Sequence, residues 1–212
     1  MKIKDKTVII ACAGMGRRLK KNMPKALITI GEEPLLLRTL RCLDEVEDVR
    51  IVVGYKADAV IALAKEYRGD ITFITNLDYA TTNTGTSILA AAKDARQFIL
   101  TIDGDIIIHP EDFARILQMK HEFVGVSEIL TDDPVFTMIN KNSVVGFSRT
   151  SGDYEWTGVT MLESGDLNTA ASYTYELVEP RLPLPYEVIR QREIDTPHDY
   201  ENALQWVLND YQ

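Results

Sequence analysis

The chain has 212 residues, 45% of them apolar and 26% charged, with a formal net charge of −9. That length predicts one domain over residues 1–212 with a sizeable core. The acidic balance argues against a nucleic-acid-binding surface, and no apolar run approaches the ~20 residues that cross a bilayer.

The N-terminus, MKIKDKTVII, is too short in its apolar part for a signal peptide. It runs into a buried strand expected at Thr7–Ala13. Next comes a helix at Pro34–Val46, with Pro34 suited to its first turn and Leu36, Leu40 and Leu43 on the inner side. Val49–Gly54 reads as a strand, Ala57–Tyr67 as a helix, Ile71–Thr75 as a strand and Thr84–Ala95 as a helix. Gln97–Ile102 is a further strand and Pro110–Lys120 a helix. Short buried strands alternating with helices predict an α/β fold, a Rossmann-like and mostly parallel sheet flanked by helices. Ligands of such sheets bind beyond the carboxyl ends of the strands. That puts Gly14–Arg18, Asn76–Ser87 and Asp103–Asp105 on one rim.

After His121 the pattern changes. A strand is expected at Phe123–Leu130, a hairpin from Val135–Asn140 and Ser143–Arg149 through Lys141-Asn142, and a strand at Trp156–Leu162. A helix at Gly165–Leu177, a strand at Glu187–Glu193 and a last helix from Pro197 to Leu208 follow. Thr196 can cap that helix, with Asp199 placed for a capping box. No Pro/Gly/Ser-rich linker intervenes, so residues 121–212 read as a small mixed lobe added to a nucleotide-binding half of about residues 1–120. Cys12 and Cys42 lack CxxC spacing and read as reduced thiols of a cytoplasmic protein. His109, His121 and His198 form no zinc pattern with them.

Charge locates the chemistry. No Asp or Glu occurs between Lys6 and Gly31, while Arg17, Arg18, Lys20, Lys21 and Lys25 crowd a short stretch just after the first strand. Gly14 and Gly16 let that backbone turn and bring its N–H groups near a ligand. A strand, a glycine loop and clustered cations together describe a polyphosphate site. The P-loop pattern is absent, and Leu19 stands where the dinucleotide fingerprint needs its third glycine. A dehydrogenase would also carry an acid after the second strand, where Gly54-Tyr55-Lys56 stands instead.

Asp103-Gly-Asp105 ends a strand and offers two carboxylates suited to a hard cation, although alone such a run is more often a turn. Glu193-Ile194-Asp195-Thr196 is a second acidic point, which alone would serve to cap the last helix. Asn76–Ser87 is rich in Asn, Thr and Ser, able to hydrogen-bond a base or cap a helix.

The run Cys12-Ala13-Gly14-Met15-Gly16-Arg17-Arg18-Leu19, then Pro24-Lys25-Ala26-Leu27, resembles the signature of the sugar-phosphate nucleotidyltransferases. Ile194-Asp195-Thr196-Pro197-x-Asp199 resembles that family's C-terminal block. The spacing of Asn76-x-x-Tyr79 and Asn83-x-x-x-Ser87 is closer to the phosphocholine cytidylyltransferase branch. The resemblance implies Mg²⁺ held by Asp105 and Asp195, with Arg18 and Lys25 as the other catalytic residues. It implies a nucleotide contacted by Ala13, Gly14, Met15, Gly16, Arg17, Arg18, Asn83, Gly85, Thr86, Ser87 and Asp103. Glu155, Trp156, Thr157 and Gly158 are placed on the acceptor side. The implied reaction is transfer of a nucleoside monophosphate, CMP from CTP, to a small phosphorylated or phosphonate acceptor. Two other readings stay open: a sugar-1-phosphate uridylyl- or thymidylyltransferase, and a nucleotide-binding protein without chemistry.

Overall fold

The structure, a computed structural model, describes residues 2–19 and 21–211, with only the backbone of Arg17. In chain order its elements are β1 (Ile3–Cys12), β2 (Thr29–Ile30), β3 (Glu33–Pro34), α1 (Leu35–Cys42), β4 (Val46–Val53), α2 (Ala57–Tyr67), β5 (Thr72–Thr75), α3 (Thr84–Ala91), β6 (Phe98–Asp103), β7 (Ile106–Ile108) and α4 (Pro110–Gln118). They continue with β8 (Phe123–Ser127), β9 (Phe136–Asn140), β10 (Ser143–Ser148), β11 (Tyr154–Glu163), α5 (Tyr175–Val178), β12 (Leu184–Val188), β13 (Gln191–Glu193) and α6 (Pro197–Asn209).

A nine-stranded sheet runs in the order β5-β4-β1-β6-β11-β8-β12-β10-β9. Its first four strands are mutually parallel. The β-branched runs of β1, β4 and β6 are largely buried on both faces, as parallel strands between helices must be, whereas the edge strand β5 is half-buried. Successive β1 residues go to opposite sides. Val8, Ile10 and Cys12 pack with α1, α2 and α4, whereas Ile9 packs with α3 and α5. Leu36, Leu40 and Leu43 are buried as their spacing predicts; each such side chain contributes roughly 1.5–3 kcal/mol of transfer free energy. The remaining strands extend the same sheet in mixed orientation, with β11 antiparallel to both β6 and β8 and β12 parallel to β8. The α/β sheet flanked by helices is therefore as expected, with an unbroken parallel block only in the first half and mixed pairing in the second.

A third apolar cluster lies off the sheet. Leu19, Ile28, Ile30 and Leu35 meet Ile107, Ile194 and the α6 residues Ala203 and Trp206. It fastens the segment that follows the glycine loop to the elements that follow Asp105 and Asp195. The Thr196–Asp199 capping box is present, with Pro197 at the first turn of α6. No described helix is long and apolar enough to cross a membrane.

Several ends shift by a few residues: β1 starts at Ile3 and not Thr7, α1 ends at Cys42 and not Val46, β4 starts at Val46 and not Val49, and α3 ends at Ala91 and not Ala95. Three larger departures have local reasons. The helix expected at Gly165–Leu177 is reduced to Tyr175–Val178. Asn168 Oδ1 accepts from Ala170 N, the Glu176 carboxylate takes Ser172 N and Tyr173 N, and Asp166 has a left-handed backbone. Side chains thus satisfy backbone groups that a helix would have paired. The strand expected at Glu187–Glu193 is two strands. Asp112 accepts from Arg190 N and Arg190 O accepts from His109 N, so the chain leaves the main sheet at Ile189-Arg190 and pairs β13 with β7. Strand β8 stops at Ser127, short of Leu130, because the Glu155 carboxylate takes the N–H groups of Leu130 and Thr131.

Candidate active site

The parallel block brings the carboxyl ends of β1, β5 and β6 to one edge of the sheet. Backbone bonds tie the loops there to one another: Gly104 N to Ala11 O, Tyr55 N to Ala13 O and Asn76 N to Val53 O. Gly16 has φ +57°, a left-handed conformation, and a Cβ on it would lie 2.8 Å from Lys25 Cγ. Glycine there allows the turn and gives the Lys25 stem its place.

Lys25 reaches across the edge. Its Nζ donates to Asp105 Oδ2 at 2.6 Å and also to Asp195 Oδ1, while the Arg18 guanidinium pairs with Asp195 Oδ2. Residues 80 and 170 positions away from Lys25 are joined by one ammonium. Burial alone would lower the affinity of Lys25 for its proton, but Asp105 and Asp195 overcome it and hold the ammonium above the ordinary lysine value. A cavity of about 210 Å³ opens beside it, lined by Gly14, Gly16, Arg18, Lys25, Gly104, Asp105 and Asp195 among others.

The carboxylates outnumber these cations. One oxygen from each of Asp105, Glu193 and Asp195 lies within 4.8 Å of the others. Burial, then the charges of Asp105 and Asp195, push the Glu193 carboxyl up to about 8. Burial and the Asp105 charge push Asp103 up to about 8 as well. A crowd of carboxyl oxygens in excess of the cations has the donor chemistry of a hard divalent cation site, and Mg²⁺ belongs to that class. Burial and the charges of Asp105 and Asp103 raise the Cys12 thiol far above its ordinary range, which makes it an inert wall rather than a nucleophile.

Glu193 was not among the expected metal residues, although its signal was there. Glu193-x-Asp195 repeats the two-residue spacing of Asp103-x-Asp105, and the backbone bond from Ile194 N to Asp105 O at 3.0 Å sets the two acidic runs side by side. Asp199, beyond capping α6, accepts from Asp195 N and Thr196 N and so fixes the turn that presents Asp195.

Asn83, Gly85, Thr86 and Ser87 stand apart from this cavity. Asn83 Nδ2 donates to Ser172 Oγ, Thr86 N to Ser172 O, and Gly85 lies so close to the Tyr173 carbonyl that no Cβ would fit. The Asn76 amide donates to both Ser87 Oγ and Thr82 Oγ1. This loop is ordered by its own polar side chains at the carboxyl end of β5. Ala13 and Met15 continue the glycine loop between β1 and Gly16. The Arg17 side chain and Lys20 lie outside the described residues, and Lys21 Nζ sits 3.8 Å from the centre of the Tyr200 ring.

A second cavity of about 300 Å³ adjoins the carboxylates, reaching from Arg18, Asp103, Glu193 and Asp195 to Thr131–Val135, Arg149 and Glu155–Gly158. The block Glu155–Gly158 does line it, but its polar side chains are already engaged. Glu155 holds Leu130 N, Thr131 N and the Thr131 hydroxyl, Thr157 Oγ1 donates to Gly125 O, and Trp156 Nε1 donates to Thr160 Oγ1. Gly158 has φ +77° at a register break between β11 and β8, and a Cβ on it would collide with the Asp103 carboxylate. This break in β11 is thus also the seat of Asp103. Thr131, Asp132, Asp133 and Arg149 come to this wall from an exposed loop and a hairpin end, for which composition carries no signal.

Residues 8–127 match the model of the MobA-like NTP transferase domain. The chain belongs to that family. Among curated proteins it is 30% identical over 146 residues to the bifunctional protein GlmU of Methanococcus aeolicus, covering 65% of this chain and 34% of that one. It is 31% identical over 120 residues to the bifunctional IPC transferase and DIPP synthase of Rubrobacter xylanophilus, covering 55% and 27%. The chain thus spans about a third or less of the length of these relatives. Among solved structures, the CTP:phosphocholine cytidylyltransferase of Streptococcus pneumoniae superposes with a TM-score of 0.78 at 22% identity, covering 96% of this chain and 99% of that one. The inositol-1-phosphate CTP transferase of T. maritima gives 0.75 at 17%, covering 99% and 98%. A putative glucose-1-phosphate thymidylyltransferase from Bacillus anthracis gives 0.73 at 18%, covering 96% of each. The chain thus belongs to a family of NTP transferase domains and shares its fold with these structures; base and acceptor differ among the proteins it resembles.

Proposed function

We propose that the protein transfers CMP from CTP to a small phosphorylated or phosphonate acceptor and releases pyrophosphate. The observation that carries this reading is the meeting of Lys25 and Arg18 with Asp105 and Asp195 at the mouth of the glycine loop. An acceptor oxygen forms a bond to the α-phosphorus as the bond to the bridging oxygen breaks, and pyrophosphate leaves with that electron pair. Every participant is an anion, so catalysis consists of alignment and charge neutralisation.

Arg18 and the backbone N–H groups of the Gly14–Arg17 loop hold the β- and γ-phosphates, while Lys25 meets the charge that develops at the α-phosphate. Asp105, Asp195 and Glu193 would hold a Mg²⁺ ion, which would supply neutralisation of the charge on the reacting phosphates. Residues of about 1–120 bind the triphosphate. Those of about 121–212 bind the acceptor and supply the second aspartate.

Two features support the finer assignment. The Asn76–Ser87 loop offers amide and hydroxyl groups at the rim, and two of the structural neighbours carry CTP in their names. The second cavity is lined by more carboxylates than guanidiniums and has Trp156 on its wall. Such a wall favours an acceptor with a positive charge at its far end, as in the phosphocholine of the pneumococcal neighbour's name.

The test is a matrix of CTP, UTP, ATP and GTP against phosphocholine, 2-aminoethylphosphonate, glycerol 3-phosphate and glucose 1-phosphate, scored by pyrophosphate release. Turnover is expected with CTP and an amine-bearing acceptor. Turnover with UTP and glucose 1-phosphate instead would replace the base and acceptor assignments. No turnover with any pair would leave a nucleotide-binding protein without this chemistry.

A further inference from the structure

Both oxygens of Asp195 and one of Asp105 are engaged by the chain's own cations, Lys25 and Arg18. These are two of the three carboxylates that gather as a cation site with Glu193. The Lys25 stem is confined against Gly16, and its side chain is only 15% exposed, whereas that of Arg18 is 64% exposed. The open space beside the Lys25 ammonium is the cavity that Gly14, Gly16 and Gly104 line. On the nucleotidyl-transfer reading, on which this inference rests, that cavity receives the triphosphate.

We infer that Lys25, with Arg18, is an exchangeable counter-cation that couples metal binding to triphosphate binding. While Lys25 bridges Asp105 and Asp195, a divalent cation must compete with it for the same carboxylates. When a triphosphate enters, Lys25 and Arg18 move onto phosphate oxygens and leave the carboxylates to the metal. Metal and triphosphate then raise each other's affinity by the same factor, as linkage requires. The free protein binds the metal weakly, so the two ligands are taken up together.

The first measurement is Mn²⁺ binding to nucleotide-free protein, in the wild type, Lys25→Met and Lys21→Met. Lys21→Met removes an equal charge from the same segment, but the Lys21 ammonium lies over the Tyr200 ring. Lys25→Met is expected to tighten Mn²⁺ by about tenfold, inside the ~5–150-fold range of ordinary site–site coupling, and Lys21→Met by far less. Equal tightening in both variants, or none in Lys25→Met, would overturn the exchange.

The second measurement is CTP binding in EDTA. Asp105→Asn, which frees Lys25 from one partner, is expected to bind CTP about fivefold tighter than Glu193→Gln. The latter alters an acid of the same cluster that lies outside the Lys25 hydrogen bonds, so equal affinities would again overturn the exchange. Pyrophosphate release by the wild type reports on the transfer reaction separately. If no acceptor supports turnover while both binding results hold, the exchange stands and the transfer reading falls. If turnover occurs while both binding results are negative, the transfer reading stands and the exchange falls.

Discussion

Two carboxylate clusters flank strand β13, and they are built oppositely. At one end Asp105, Glu193 and Asp195 crowd together with Asp103 nearby, and burial with mutual repulsion pushes Asp103 and Glu193 up to about 8. At the other end Asp112 is packed among arginines. It accepts from Arg190 N at 2.9 Å and from the Arg190 side chain, and Arg115 stands on its other oxygen. Burial works against its ionisation, but the hydrogen bonds from Arg190 and the two guanidinium charges hold its carboxyl below the usual aspartate value. Four acids in the first cluster answer to Lys25 and Arg18. The acids of the second are matched, and Asp112 anchors the turn that redirects the chain into β13. A matched cluster serves as a strut, whereas a crowd of acids in excess of the cations offers oxygen donors to a further positive charge.

The sharpest way to break this comparison is to neutralise one member of each cluster. On the proposed transfer reaction, Asp105→Asn and Asp195→Asn are expected to cut turnover by on the order of 10³-fold or more, since each would remove an anionic oxygen from the proposed reacting centre, while circular dichroism stays native. Near-normal turnover in either variant would take that residue out of the centre. Lys25→Ala follows, with kcat down by about 10²–10³-fold and a smaller change in the KM for CTP, as fits a contact made mostly in the transition state. A raised KM with kcat intact would make Lys25 a binding residue only.

Asp112→Asn is expected to lower stability by about 1–3 kcal/mol, the cost of leaving its partners unpaired, with kcat nearly unchanged if the enzyme remains folded. The two clusters also give opposite pH slopes. The folded value of Asp112 lies below its unfolded value of about 3.8, so its contribution is present above that pH and is lost as pH falls through the folded value. Glu193 is raised from 4.5 to about 8. Its contribution is present below 4.5 and is lost as pH rises through about 8. In chelator, Glu193→Gln should therefore melt higher than the wild type above pH 8 and alike near pH 4, and parallel melting curves across that range would contradict the crowding. The smallest effect belongs to Glu111→Gln. Its carboxylate is exposed and pairs with Arg190 at 2.8 Å, and no measurable change in melting temperature is expected.

The sequence carried the first of these clusters better than the second. The glycine loop, Arg18, Lys25, Asp105 and Asp195 are each flanked by a strand end or a cap, and local pattern locates strand ends and caps well. Their meeting was legible only through family resemblance, because Lys25 and Asp195 are 170 residues apart. The Asp112–Arg190 strut was invisible for the same reason, and with it the break that turned one expected strand into β12 and β13. The helix expected at Gly165–Leu177 failed on a different point. Its apolar spacing was helical, but Asn168 and Glu176 bond backbone N–H groups that the helix needed, a competition that hydrophobic periodicity does not register.

The third apolar cluster has a consequence for how the protein is made. Chains leave the ribosome amino end first, and early segments begin to fold before later ones exist. By residue 103 the strands of the parallel block and the glycine loop have been synthesised. Leu19, Ile28, Ile30 and Leu35, however, find their full set of partners only when Ile194, Ala203 and Trp206 arrive. Until then the loop lacks its apolar anchor and Lys25 lacks one of its two carboxylates. A nascent chain halted before Asp195 would carry the long parallel strands without the carboxylate that Lys25 and Arg18 share, so the site is completed well after the strands that frame it.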